Sequence, residues 1–106
     1  MSDALIAGLR AQCGGPRDGA LLRFSLGNAL LGDGLAAEAA EELRRALGFD
    51  PSYSAAWKLL GKACLAMTDR AGAADAWRQG VAVAQQRGDK QAEREMAVFL
   101  RRLDRS

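Results

Sequence analysis

Histidine is absent from the 106 residues, and cysteine occurs only at Cys13 and Cys64, with no second cysteine near either. The usual zinc-ligand patterns are therefore missing, as is the imidazole base on which most serine and cysteine nucleophiles depend. Charge of one sign is also lacking: 15 Lys and Arg stand against 13 Asp and Glu, for a net charge of +2. Such a balance cannot build the dense basic stripe that nucleic-acid binding by counterion release requires, so nucleic acid is not an expected partner. No apolar stretch approaches the roughly 20 residues of a spanning helix, and the segment from Met1 to Cys13 carries Asp3 and Arg10 where a secretory leader would be basic and then unbroken apolar. The chain is accordingly expected to be cytoplasmic and free of membrane. Alternating β-branched runs are missing too, which argues against strands.

The composition itself is that of an ordinary globular chain, 49% hydrophobic and 26% charged, and its length suffices for one compact core. Within it lies an internal repeat. Shifting Leu26 to Leu47 by 34 places onto Leu60 to Val81 gives eight identities, among them Leu26 with Leu60, Gly27 with Gly61, Ala39 with Ala73, and Arg44 with Arg78. In the first unit Leu22, Leu26, Leu30 and Leu31 share a helical face that breaks at Gly32-Asp33-Gly34. Leu35, Ala39, Leu43, Ala46 and Leu47 form the inner face of a second helix, and Pro51 fits an early position of the helix that follows. In the second unit Trp57, Leu60, Gly61, Cys64 and Leu65 correspond to the first helix, and Ala73, Ala76, Trp77, Gly80, Val81 and Ala84 to the second. Gly inside a helix costs about 1 kcal/mol against Ala, so its recurrence at Gly27 and Gly61 points to helices packed too closely for a side chain.

These residues resemble the tetratricopeptide repeat family, whose pattern runs W-x2-L-G-x2-Y, then A-x3-F, then P. Trp57-x2-Leu60-Gly61-x2-Cys64 and Ala73-x3-Trp77 follow it, and Leu26-Gly27-x2-Leu30, Ala39-x3-Leu43, Ala46 and Pro51 fall in the same order. Three positions depart from it: Arg23 stands at the first unit's Trp place, Thr68 at a turn glycine, and Gln85 at the closing proline. Asp69 is the residue expected to take the left-handed backbone in place of the missing glycine. The resemblance implies an all-α fold, a right-handed α-solenoid of helical hairpins with a capping helix at each end. Repeats are placed at 20–53 and 54–87, with flanking helices at 2–13 and 89–104.

Ser2 is the expected N-cap of the first helix, where Leu5, Ile6 and Leu9 make one apolar stripe that Gly14-Gly15-Pro16 ends. The last helix carries Ala92, Met96, Phe99, Leu100 and Leu103 on one side and mostly charge on the other. It reads either as a solvated cap or as a docking or dimerising helix.

In the family the first helix of each hairpin lines a concave face suited to a peptide or helix, and this implies a groove formed by Leu21, Phe24, Asn28 and Leu31 with Ala55, Lys58, Lys62 and Leu65. Lys58 and Lys62 are four apart and share a helical face, where they either receive an acidic segment or remain solvated charges. Of the residues with which some family members clamp a chaperone's C-terminal carboxylate, only Asn28 has a clean match; Phe24 and Leu59 occupy two of the other places, so chaperone-tail binding is not expected. The expected function is a non-catalytic adaptor holding another protein, possessing no cofactor and no metal, as a monomer or weak homodimer. The alternative is a structural module that self-associates through its terminal helices.

Overall fold

The computed structural model describes residues 3–105, and within them six α-helices follow one another: α1 (Asp3–Gln12), α2 (Ala20–Gly32), α3 (Ala36–Phe49), α4 (Ser54–Ala66), α5 (Arg70–Arg87) and α6 (Lys90–Arg105). Ser2 lies outside the described residues. Helices α2 with α3 and α4 with α5 pack as antiparallel hairpins, α1 lies on α2, and α6 lies on α5 and reaches α4. The short dimension of 18 Å is that of two helix layers. In one layer α2 touches α4 and α4 touches α6, whereas the backbones of α3 and α5 in the other layer stay apart. Helices that converge on one side and spread on the other bend the slab, with α2, α4 and α6 on its inner side. The all-α hairpin architecture expected from the repeat is what the structure shows.

Of the repeat identities, Leu26 with Leu60, Gly27 with Gly61 and Ala39 with Ala73 are buried at both places, whereas Ala37 with Ala71 and Arg44 with Arg78 are exposed. Leu26, Leu30, Ala39, Leu43 and Ala46 of the first hairpin and Ala63, Cys64, Ala73 and Trp77 of the second are buried together. A Cβ on Gly27 would lie 2.7 Å from Leu43 Cγ, and one on Gly61 would collide with the Trp77 indole. Both glycines therefore admit the side chain facing them across the hairpin. Trp77 spends its indole N–H on the Lys58 carbonyl at 3.0 Å, so its burial strands no donor. Trp57 is only partly buried, and its N–H is donated to the Pro51 carbonyl at 2.8 Å.

Arg23 takes the place of a core tryptophan by folding its guanidinium into a charge network. Its fork donates to both Asp18 carboxylate oxygens at 2.8 Å each, and its third nitrogen donates to Glu42 at 2.8 Å. Glu42, the one buried charged side chain of the described core, also accepts from Arg45 at 2.7 Å. The Arg23 hydrogen bonds, with a further one from the Gly14 N–H, hold the Asp18 carboxyl well below the usual carboxylate range. The same two carboxylates, Asp18 before Glu42, raise the Arg23 guanidinium above its ordinary value. Among the described residues no buried side-chain nitrogen or oxygen is left without a partner.

Two turns differ from expectation. After α4 the left-handed residue is Thr68, at φ 57°, and not Asp69, whose φ is −92°. Thr68 N–H donates to the Leu65 carbonyl and Asp69 N–H to the Cys64 carbonyl, the same closure that Gly34 and Leu35 make after α2. Asp69 cannot serve in both roles, because its carboxylate caps α5 by accepting from the Gly72 N–H at 2.9 Å. Pro51, in turn, is not an early helical residue: α4 begins at Ser54, and Asp50 organises a turn around Pro51 by accepting from the Ser52 N–H and hydroxyl at 3.1 and 3.0 Å. Leu35 is the N-cap of α3 and is exposed, so it lies outside that helix's inner face.

Candidate protein-binding surface

The inner layer carries the groove residues expected from the sequence, but it does not treat them alike. On α2, Leu21 is 69% exposed and Asn28 is exposed, while Phe24 and Leu31 are half-buried. Phe24 stacks on Tyr53 with ring centroids 4.9 Å apart, so it closes the junction between the hairpins. Burial there, aided by the Asp50 charge, pushes the Tyr53 phenol up. Ala55 is half-buried, beside the start of α6.

The two lysines of α4 both face α6. Lys58 donates to Glu95 at 3.1 Å, with the two side chains 27% and 39% exposed. Lys62 is exposed and holds its ammonium 5.4 Å from the centre of the Phe99 ring, a cation–π arrangement. Leu65, 39% exposed, borders a cleft of about 310 Å³ together with Phe99 and Leu103. Glu95, Phe99 and Leu103 thus belong to the surface although they were not among the expected site residues. Their four-residue spacing along α6 is the signal that was available, since it matches the Lys58–Lys62 row on α4.

Helix α6 is not free to present its apolar stripe. Met96 is fully buried and meets the space above Gly80, Ala92 is buried, and Phe99, Leu100 and Leu103 pack against the core. On the opposite side of the slab the gap between α3 and α5 forms a second cleft of about 460 Å³, with Trp57, Leu60 and Cys64 at its floor and Arg44 and Asp75 at its rims. Burial raises the Cys64 thiol's pKa, which disfavours the thiolate. No group of three metal-ligating side chains occurs among the described residues. Nor is any described helix long and apolar enough to cross a membrane.

A TPR repeat-containing protein of Pseudomonas aeruginosa is 56% identical to the chain over 102 residues, which are 96% of this chain and 97% of that protein. The chain belongs to the TPR repeat-containing proteins. The solution structure of a protein from Bordetella parapertussis superimposes with a TM-score of 0.83 at 48% identity, covering 95% of this chain and 88% of the other. No protein-family model matches the chain.

Proposed function

We propose that this repeat protein is a non-catalytic interaction module that holds a short peptide or helix of a partner protein against the inner faces of α2 and α4. The observation that carries the reading is the exposure of Leu21 and Leu65 on one curved layer, at 69% and 39%, with Asn28 and Lys62 also exposed on it. Large apolar side chains at both ends of a polar row are the composition of a surface that trades water for a partner. Glu95 already neutralises Lys58, so Lys62 is the lysine that supports an acidic ligand. A photo-crosslinking side chain placed at Leu21 or Asn28 is expected to trap a protein in cells of the source organism, while one at Arg78 on α5 is not. Equal trapping from Arg78 would sink the assignment of the surface.

Self-association is the second reading, and the exposed Leu5 of α1 favours it at 57% exposure. It predicts a mass that rises with concentration and falls back to monomer in Leu5→Glu. Sedimentation equilibrium giving a monomer throughout would remove it.

A further inference from the structure

The cleft at the far end of the inner layer has a composition that selects a ligand. It opens between the C-terminal end of α4, the N-terminal end of α5 and the C-terminal end of α6. Its apolar walls are Leu65, Trp77, Phe99 and Leu103, and Trp77 offers only ring surface there because its N–H is already donated to the Lys58 carbonyl. Lys62, Arg70 and Arg102 complete the lining, to which no carboxylate among the described residues contributes. Arg70 donates to the Leu103 carbonyl at 2.6 Å and so ties the end of α6 to the start of α5, which fixes the walls relative to one another. The volume of about 310 Å³ lies at the small end of the range for ligand pockets and suits one large side chain. The broader cleft between α3 and α5 has Arg44 facing Asp75 and therefore no preference of sign.

Resting on the groove reading above, we propose that this cleft is the specificity pocket of the surface: it takes one Phe or Leu side chain of an acidic segment of the partner protein. The apolar anchor enters between Leu65 and Phe99, and carboxylates flanking it meet the cationic rim at Lys62. Removing the anchor from water supplies affinity, while the rim rejects segments whose anchor has basic neighbours.

The probe is a panel of short synthetic peptides with Phe, Leu, Ala or Lys at the centre, flanked by either Glu or Lys, titrated against the full chain by fluorescence anisotropy. Glu-flanked Phe and Leu peptides are expected to bind about ten-fold or more tighter than their Ala-centred and Lys-flanked counterparts, and less tightly as salt rises. Leu65→Trp, which fills the cleft, and Lys62→Glu, at an exposed side chain, are each expected to weaken that binding about ten-fold. Arg78→Ala, at an exposed side chain of α5 outside this surface, is expected to change it less than about two-fold. Equal binding of Phe- and Ala-centred peptides, unchanged binding by Leu65→Trp with a wild-type circular dichroism spectrum, or binding by no peptide of the panel overturns the pocket. Crosslinks at Leu21 and Asn28 that persist alongside any of these results leave the groove reading standing and remove this inference alone.

Discussion

Thr68 and Gly34 occupy equivalent places in the two hairpin turns, at φ 57° and φ 80°. A β-branched residue in the left-handed region costs about 1–2 kcal/mol, and glycine relieves this while losing part of the gain to the entropy of the unfolded chain. Thr68→Gly should therefore stabilise by about 0.5–1 kcal/mol, measured as a higher urea midpoint at unchanged slope. Glycines within helices divide in the same physical way. At Gly61 a methyl group would collide with the Trp77 indole, so Gly61→Ala should cost about 1–3 kcal/mol. At Gly8 it would meet nothing within 4 Å, so Gly8→Ala should gain about 0.5–1 kcal/mol. Asp18 supplies a dependence on pH. Its pKa is lower folded than unfolded, so its stabilising effect is complete above the ordinary value near 4 and is lost as pH falls through that value and below. Acid titration of stability should fall less steeply below about pH 4 in Asp18→Asn, although that variant starts from a lower stability at neutral pH.

Among the elements, α6 closes the open side of the second hairpin. The second hairpin alone would expose Trp77 and the bare backbone of Gly80, and α6 covers both with Phe99 and Met96. Met96→Ala should cost about 2–5 kcal/mol, because Met96 is fully buried and its neighbours can close the cavity only in part. The first hairpin reaches the same end by a different route, with the Arg23, Asp18 and Glu42 network where the second has Trp57. Arg23→Met would leave Glu42 buried with only the largely exposed Arg45 as a partner, a loss on the order of 3 kcal/mol. The sequence showed that Arg23 departs from the repeat but not what replaces the tryptophan, since its partners lie five residues before it and nineteen after it.

For the molecule as a whole, the charges of the inner layer are decided by which helices lie side by side. Glu95 and Lys58 are 37 residues apart in the chain and 3.1 Å apart in space, and the pair is exposed enough to be worth less than about 1 kcal/mol. Its larger effect falls on recognition. Glu95→Gln should leave stability nearly unchanged while tightening the Glu-flanked Phe peptide and steepening its salt dependence, which isothermal titration at two ionic strengths will read. Of the expected groove residues, the α2 set came from the family resemblance, and packing decided that Leu21 and Asn28 are exposed while Phe24 and Leu31 are half-buried. The state of Lys58, Lys62 and Leu65 could not be read from spacing, since α6 settles it. The repeat itself determined the hairpins, their core positions and the tight glycines: periodicity and side-chain size act locally, so they are legible in one dimension. Docking of α6 beside α4 decided which lysine is neutralised and where the apolar cleft opens, because those properties arise from contacts between distant segments and exist only once the helices are stacked.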